Sequence, residues 1–302
     1  MSTLTDLFNL RVGPSRRALF MEPSPDGFRV LVSQERPGAR EMPQWKRYRG
    51  VTAAELLREE QVGRENVYYV LPPRSYYRNR LTFPFRDRAK IEAVIPYEIR
   101  DYLPDQEPDC ISDFMQFDGE TLVFSARREI IRHIVEQVEE FRDNLRAVIP
   151  FDHAVYRAMR AMVSQGPYLL VGLSEDGVYL QQADGERPGT GMFAAGGARD
   201  DAGVLVSELR MLLRSQGDAP VYLAVPPDVA GDDGGPAGFL ESVLQESGAA
   251  SHARSLPLSS SGFPGGSRGS GVLLPPGAPV NPHSLALLGA LDWAQGFGSR
   301  AA

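Results

Sequence analysis

Two short apolar strand pairs, one near the start of the chain and one just past its middle, constrain the fold more than any other feature. The first pairs residues 18–23 (ALFMEP) with 28–34 (FRVLVSQ) across a Ser-Pro-Asp-Gly turn. The second pairs 168–174 (YLLVGLS) with 177–182 (GVYLQQ) across a Glu-Asp-Gly turn. Apolar runs separated by such turn residues favour tight β-hairpins. Two halves that each open on a hairpin indicate an internally duplicated α/β architecture.

Helical and extended patterns alternate along the rest of the chain, which is typical of an α/β protein. We predict helices over 52–61, 204–215, 237–246 and 283–297, and strands over 66–72, 121–126 and 221–226. A long amphipathic helix is predicted after residue 126, with its buried side marked by Ile130, Ile131, Ile134, Val135, Val138, Phe141 and Leu145. The Gly- and Ser-rich stretch 259–271 offers little to bury and is predicted to be a flexible loop.

A further helix is predicted in the segment LTFPFRDRAKIEAVIPYEIRDYLPDQ, residues 81–106. Asp87 is its expected N-cap and Pro104 its end, while Pro96 predicts a kink or break near residue 95. Its apolar stripe consists of Ile91, Ile95, Ile99 and Leu103, widened by Val94 and Tyr102. We expect this stripe to pack on the sheet of the first half of the protein.

Composition argues against several classes of function. The 302 residues contain 32 Lys and Arg against 39 Asp and Glu, and the net charge of -7 is not gathered into one block, so no nucleic acid partner is expected. The single cysteine, Cys110, excludes an intramolecular disulfide and a Cys-rich zinc site, and the 4 histidines are too scattered to indicate a metal. No window of about 18 apolar residues occurs, so the chain is expected to be soluble and cytosolic in character.

The sequence also lacks the common catalytic motifs. It has no Walker loop, no Gly-x-Ser-x-Gly elbow and no HExxH. Four tyrosines have two interpretations, stacking on a base or packing in a core, of which packing is the commoner for strand aromatics. They are Tyr68, Tyr69, Tyr76 and Tyr77.

Several short motifs occur in a fixed order along the chain. Residues 67–106 contain a Leu-x-x-Pro-Phe entry, an Ile-Pro-x-Glu helix and a Tyr-Leu-Pro ending; residues 124–155 contain Ala-Arg-Arg-Glu before a long helix; and the chain closes with Asn-Pro-x-x-Leu-Ala-x-Leu-Gly-Ala. In this order and spacing the sequence resembles the cytoplasmic PilM/GspL family, actin-like assembly proteins of type IV pili and type II secretion. The resemblance is nearest to the cytoplasmic domain of GspL. It covers roughly residues 18–297 and is clearest over 66–155.

The resemblance implies an actin-like, ribonuclease H-like duplicated α/β fold, with two lobes of mixed sheets flanked by helices. The expected boundaries are an N-terminal tail at 1–17, a first lobe at 18–155 with an inserted subdomain at 76–120, and a second lobe at 156–302.

Actin-like ATPases, as the resemblance implies, cradle phosphate in a hairpin turn at the start of each half. In this chain the first turn, with Glu22 and Asp26, carries two prolines that lack the N–H donors of a cradle. The second turn, with Gly172, Ser174 and Asp176, has Val-Gly-Leu in place of the family's Asp-Ile-Gly. Ser174 has two interpretations, a phosphate contact or a hydroxyl that caps its own hairpin.

These departures predict a degenerate pseudo-ATPase, with no catalytic residues, no cofactor and no metal. Gly234-Gly235 matches the family's adenosine-side glycines but is equally an ordinary turn. The resemblance implies a non-catalytic scaffold that docks the secretion or pilus assembly ATPase onto bitopic inner-membrane platform proteins, with homodimerisation as a further expectation. The alternative is a nucleotide-binding PilM-like switch, or an actin-fold ATPase or kinase.

The resemblance also implies a place in the cell. It puts the chain at the cytoplasmic face of the bacterial inner membrane, and a GspL-like protein would continue into a transmembrane helix, so we expect truncation at Ala302. Arg78 and Arg80 belong to an Arg-rich stretch and are the predicted partner-binding residues. The same arginines are also open to a plainer interpretation, solvation of a strand pair.

Overall fold

The computed structural model describes residues 17–33, 43–103, 109–117, 119–163, 166–174, 177–184, 187–195, 202–216, 219–224, 236–256 and 281–298. The strands are β1 (Ala18–Ser24), β2 (Gly27–Ser33), β3 (Gln44–Arg49), β4 (Asn66–Leu71), β5 (Tyr77–Leu81), β6 (Cys110–Phe117), β7 (Glu120–Arg127), β8 (Leu145–Pro150), β9 (Tyr168–Ser174), β10 (Gly177–Asp184), β11 (Arg187–Ala195), β12 (Val221–Ala224) and β13 (Ala253–Ser255). The helices are α1 (Ala53–Glu59), α2 (Arg88–Glu98), α3 (Arg128–Gln137), α4 (Phe151–Met162), α5 (Ala202–Gln216), α6 (Pro236–Ser247) and α7 (Pro282–Gly298).

Two five-stranded sheets with the same topology form the two lobes. The strand order is β3-β2-β1-β4-β8 in the first lobe and β11-β10-β9-β12-β13 in the second. In each sheet the opening hairpin is antiparallel, a third strand extends it antiparallel, and two later strands run parallel to the first strand of the hairpin. Both predicted hairpins and the predicted internal duplication are therefore confirmed. The strands β3, β5, β6, β8, β11 and β13 and the helix α4 were not predicted.

The first hairpin depends on a glycine at its turn. Gly27 has a φ of +148°, and a Cβ at this position would lie 2.1 Å from the carbonyl oxygen of Tyr48 on β3. Glycine is the residue that allows both this backbone conformation and this approach. The backbone of the turn therefore lies in direct contact with the neighbouring strand β3.

A third, antiparallel sheet of order β5-β7-β6 supports the helix predicted in residues 81–106. Asp87 caps α2 as expected, because its carboxylate accepts a hydrogen bond from the backbone N–H of Lys90 at 2.8 Å. Ile91, Ile95, Ile99 and Leu103 are all buried, but they form a separate cluster with Leu81, Phe114 and Val123 of the third sheet. The expectation that this stripe packs on the first lobe's main sheet was therefore wrong.

Two further details of this helix differ from the prediction. The α-helix runs through Pro96, whose ring is exposed, to Glu98, so Pro96 does not break it. A 3-10 turn, Ile99–Tyr102, then follows and rotates Tyr102 out of the stripe, leaving this side chain 58% exposed. Tyr102 is therefore not part of the buried face. Pro104, the predicted end of the helix, lies outside the described residues.

The prediction of one long helix after residue 126, with a buried side that reaches Leu145, is wrong in its second half. The helix α3 ends at Gln137, and Leu145 instead begins the buried strand β8. The side chain of Asn144 donates hydrogen bonds to the carbonyl oxygens of Gly63 and Glu65, at 3.0 and 2.8 Å, and so fixes the chain beside β4. Pairing with β4 thus makes this segment a parallel strand, although its apolar residues continue the spacing of the helix before it.

The predicted helices of the second half, α5, α6 and α7, and the strand β12 are confirmed within a few residues. The stretch 259–271 lies outside the described residues.

Two helices, α4 and α7, pack closely on each other and connect the lobes. A Cβ at Gly289 of α7 would lie 1.6 Å from the carbonyl oxygen of Ala154 on α4, so the two backbones touch. The helix α7 also contacts β1, β2 and β4 of the first sheet and β9 of the second. Its first turn therefore reaches the point where the two sheets meet.

Within the described part of the chain, every helix is either too short or too polar to cross a membrane.

Candidate functional site

The first component of the interlobe site is a buried acid–base pair on the first hairpin. Glu22 on β1 and Arg29 on β2 are directly opposed in the antiparallel register. Their side chains are 1% and 3% exposed, and Arg29 Nη1 lies 4.0 Å from Glu22 Oε1. Since opposed residues lie on the same face of a sheet, the hairpin presents one carboxylate and one guanidinium together toward the second lobe.

The second component comes from the opposite lobe. Ser174 is the last residue of β9 and is 7% exposed. Its hydroxyl donates a hydrogen bond to the carbonyl oxygen of Gly177, at 3.2 Å, across the start of the second hairpin. The interpretation of Ser174 as a hydroxyl that caps its own hairpin is therefore the one seen in the structure.

The third component, His283, joins the other two. It lies in the first turn of α7, which begins because Asn281 accepts a hydrogen bond from the backbone N–H of Ser284 at 2.9 Å. His283 Nδ1 lies 2.7 Å from Glu22 Oε1, and Nε2 lies 3.2 Å from Ser174 Oγ. The ring also packs edge-on against Phe151, 5.4 Å between centroids. One imidazole therefore bridges the two lobes.

Nδ1 of His283 also lies 3.3 Å from Nη1 of Arg29, a group that only donates hydrogen bonds. This ring nitrogen therefore faces both the guanidinium of Arg29 and the carboxylate of Glu22, while Nε2 faces the hydroxyl of Ser174. The imidazole thus contacts two side chains of the first hairpin and one of the second lobe.

The helix α7 packs closely on β9 next to the bridge formed by Glu22, His283 and Ser174. A Cβ at Gly172 would lie 2.2 Å from Cγ of Pro282, so the proline ring lies directly on the backbone of β9. Gly172 was predicted as a degenerate phosphate-loop position. In the structure it is the position at which α7 approaches the second sheet.

The order Ser-His-Glu is that of a nucleophile, a general base and a residue that orients the base. Here, however, Ser174 is buried and its hydroxyl already bonds to Gly177. A substrate has no access to Oγ in this conformation. The three side chains act as a cross-link between the lobes.

Three comparisons with known proteins place this geometry in context. No family model matches the sequence, and no curated protein is similar to it in sequence. Solved structures do match. The cytoplasmic domain of EpsL, an inner membrane component of the type II secretion system of Vibrio cholerae, has a TM-score of 0.52 and 14% identity, covering 78% of this chain and 95% of that one. The PilM-PilN type IV pilus biogenesis complex has a TM-score of 0.55 and 14% identity, over 80% and 88%.

A Bacteroides thetaiotaomicron protein with an actin-like ATPase fold and unknown function also matches, with a TM-score of 0.51 and 9% identity over 84% of this chain and 93% of that one. The fold is actin-like. The predicted α/β fold of two lobes is thus confirmed, and the resemblance to PilM and GspL is confirmed at the level of the fold.

The remaining predicted phosphate-loop positions do not join the bridge. Asp26 is 40% exposed and pairs with Arg47 and Arg49, each at 3.0 Å, on the outer side of the hairpin. Hydrogen bonds from Arg47 and Ser24 hold the pKa of Asp26 below its ordinary value. Asp176, like Gly234-Gly235, lies outside the described residues.

A second buried polar cluster lies at the start of α4. The carboxylate of Asp152 accepts hydrogen bonds from Tyr179 Oη at 2.6 Å and from Arg78 Nη1 at 2.8 Å. Its backbone N–H donates to Tyr76 Oη, at 2.9 Å, and its carbonyl oxygen accepts from Gln181 at 2.7 Å. Burial first, then the charge of Asp152, raises the pKa of both Tyr76 and Tyr179. Asp152 therefore ties β5 to β10 of the second lobe.

Arg78 and Arg80, the predicted partner-binding residues, have different surroundings. The side chain of Arg78 is 13% exposed because it reaches Asp152. The side chain of Arg80 is 41% exposed and lies 3.3 Å from Glu120 on β7. Of the two, Arg80 presents more of its side chain to an incoming partner, and the docking role itself stays a prediction.

Most of the four tyrosines that were open to two interpretations pack in the interior of the protein. Tyr68 is 1% exposed and stacks on Phe20, 4.8 Å between ring centroids, while Tyr69 and Tyr76 are also buried. Tyr77 is half-buried in the cluster beneath α2. The structure therefore places these rings in packing roles.

A groove runs between α3 and the C-terminal ends of β1 and β4, with a volume of about 500 Å³. We call it the α3 groove; its lining includes Pro23, Tyr69, Leu71, Ile130, His133 and Gln137. Ligands of α/β sheets commonly bind at the carboxyl ends of parallel strands, and the α3 groove occupies such an edge.

Sequence reasoning found Glu22 and Ser174 but missed His283 and Arg29. His283 directly follows Asn281-Pro282, a pair that marks a helix start. The available signal for this residue was therefore a histidine expected in the first turn of a helix. Arg29 carried no signal, because an arginine in a strand is ordinary until its cross-strand neighbour is seen to be a buried glutamate.

Proposed function

We propose that this chain is a non-catalytic scaffold of a type II secretion or type IV pilus-like machine. The observation that carries the proposal is the bridge from Glu22 through His283 to Ser174. It fills the region between the two hairpins, where the resemblance expects an ATPase to hold phosphate. Pro282, packed on Gly172, fills the adjacent space. A cleft closed by its own side chains supports a structural role over hydrolysis.

The names of two structural neighbours support the choice of machine. EpsL is an inner membrane component of a secretion system, and PilM assembles with PilN. By analogy we infer that this chain works at the cytoplasmic face of the bacterial inner membrane, with bitopic platform proteins and the assembly ATPase as partners. Fold-level analogy alone carries this step.

For the bitopic partner, we propose the α3 groove as the docking site and an extended cytoplasmic segment as its occupant. Pro23, Leu71 and Ile130 offer apolar surface, while His133 and Gln137 offer polar atoms at the same edge. This mixture suits a peptide whose apolar side chains enter the groove and whose backbone bonds to the rim.

Calorimetric titration with ATP and Mg²⁺ tests the absence of catalysis. We expect no binding tighter than a Kd of about 100 μM. Tighter binding that is abolished by Ser174→Arg would overturn the pseudo-ATPase assignment and favour a nucleotide-dependent switch.

A binding assay tests the docking site. The probe is a labelled peptide from the cytoplasmic segment of the bitopic platform protein of the same bacterium, and the readout is fluorescence anisotropy. Ile130→Asp should weaken binding at least tenfold. Val135→Asp is the matched control, because Val135 is also partly buried on α3 but does not line the groove. Equal binding by both variants would exclude the groove.

A further inference from the structure

The helix α2 carries apolar residues on two of its sides. Its buried side packs on the third sheet. A second apolar stripe follows the i, i+4, i+7, i+8 spacing of one helix face on the solvent side, and it consists of Ala89, Ala93, Pro96 and Tyr97, all of them exposed. We call it the α2 stripe. A helix that covers a single sheet needs only one apolar side, so the α2 stripe is suited to a further contact.

The ring of Tyr97 is the most prominent part of the α2 stripe. Its 78% exposure is the highest among the large apolar side chains that the structure describes, and Tyr102, at the same end of the helix, is 58% exposed. A single exposed apolar residue is ordinary on a protein surface. Tyr97, however, adjoins Pro96 and Ala93 on one helix face, and continuous apolar surface of this kind is typical of a contact with another molecule.

The order of residues along the α2 stripe fits a second copy of the same helix in antiparallel orientation. When the pair is centred close to Pro96, Tyr97 of one copy lies over Ala93 of the other, because the two positions differ by at most about 3 Å along the helix axis. A large ring then meets a small side chain, so the two surfaces interdigitate as packed helices do.

The charges beside the α2 stripe fit the same register. Glu92 and Arg100 are both exposed, and they lie about 12 Å apart along their own helix, too far to pair with each other. In the antiparallel arrangement, Arg100 of each copy comes level with Glu92 of the other. Two ion pairs therefore form across the contact, one on each side of the centre.

We propose that the α2 stripe is a homodimer interface, in which two copies of the chain pack their α2 helices antiparallel about a two-fold axis close to Pro96. The two-fold axis makes every contact occur twice. Because α2 has 11 residues and is about 16 Å long, the interface is smaller than the roughly 1,600 Å² of a standard complex, and the dimer forms only at high protein concentration.

Sedimentation velocity over concentrations from about 10 to 500 μM tests self-association, a range that suits a weak complex. The sedimentation coefficient of the wild-type chain should rise toward that of a dimer, while Tyr97→Glu should remain monomeric. Met211→Glu is the matched control, because Met211 is also exposed, at 55%, but lies on α5. It should associate like wild type. A wild-type chain that stays monomeric, or a Tyr97→Glu variant that associates equally, would overturn the proposal.

Charge reversal tests the register of the two helices. Glu92→Arg and Arg100→Glu should each weaken the dimer about fivefold, since each single variant places like charges together twice. The double variant, Glu92→Arg with Arg100→Glu, should restore the wild-type Kd. Both positions are exposed, so folding is not at risk. A double variant that is as weak as the single variants would overturn the antiparallel arrangement.

Cross-linking tests the position of the two-fold axis. In a Cys110→Ser background, which removes the single native cysteine, Pro96→Cys should form a disulfide-linked dimer on oxidation, because a residue at the axis faces its own copy. Glu98→Cys is the control, since Glu98 is exposed on α2 but points away from the α2 stripe. Equal cross-linking by the two variants would overturn the proposal. These experiments involve no secretion partner, so their failure is distinguishable from failure of the proposed scaffold role.

Discussion

The ring of Pro282 rests on the backbone of Gly172, so that a Cβ on Gly172 would stand 2.2 Å from Cγ of the proline. This contact joins the first turn of α7 to β9 of the second lobe. It leaves no space for a side chain at residue 172, although the strand conformation itself accepts any residue.

Gly172→Ala should therefore destabilise the chain by about 1–3 kcal/mol, because the added methyl forces α7 away from β9. Gly63→Ala is the control, since a Cβ there meets only Glu65 Oε2, at an ordinary 3.7 Å. Urea unfolding of both variants measures the difference. An unchanged midpoint for Gly172→Ala would show that α7 does not pack on β9 as described.

Replacing the bridging imidazole tests the link between the lobes. His283→Phe keeps a ring of similar size but removes the polar contacts with Glu22, Ser174 and Arg29, which leaves the buried carboxylate of Glu22 without its contact to the ring. We expect a loss of about 2–4 kcal/mol in the free energy of unfolding, together with faster proteolysis between the lobes.

His133→Phe provides the comparison for this experiment. His133 lies exposed on α3, so its replacement should change the free energy of unfolding by less than about 0.5 kcal/mol. If the two variants are equally stable, the bridge contributes nothing to the contact between lobes.

Charge reversal at each of the two arginines predicted to bind a partner should distinguish an effect on folding from an effect on docking. Arg78→Glu places a second negative charge beside the buried Asp152, so it should destabilise the chain by about 3 kcal/mol or more. Arg80→Glu should leave stability nearly unchanged, because Arg80 is largely at the surface, and should weaken pull-down of the assembly ATPase. Arg132→Glu, exposed on α3, is the control. Undiminished ATPase capture by Arg80→Glu would remove this residue from the docking surface.

Stability should depend on pH through His153. Burial, and then the charge of Arg157, lowers the pKa of His153 from 6.5 to about 3. The unfolded chain binds a proton below pH about 6.5 while the folded chain does not, so stability falls as the pH is lowered from that value toward 3. The contribution is about 1.4 kcal/mol per pH unit well inside this window.

Urea unfolding at several pH values between 4 and 6.5 checks this expectation. His153→Leu should remove that part of the slope, because leucine does not titrate. A slope identical in wild type and His153→Leu would mean that the folded protein admits the proton, contrary to the buried position of the ring.

The hairpins and most helices were readable from sequence because their signals are local. Turn residues between apolar runs located β1, β2, β9 and β10, and apolar periodicity with a capping aspartate located α2. The misjudged elements depend on distant partners. Leu145 continues a helical pattern in the sequence, yet it begins β8 because Asn144 binds the chain beside β4.

The sequence by itself determined that two hairpin-led halves exist, and it predicted that their turns lack the residues of a phosphate cradle. The tertiary structure alone decided which side chains lie between the two hairpins. Glu22, Ser174 and His283 come from three distant parts of the chain, and no local pattern relates them. They meet because α7 crosses from one lobe to the other and packs its first turn on both sheets, where burial makes each hydrogen bond costly to leave unformed.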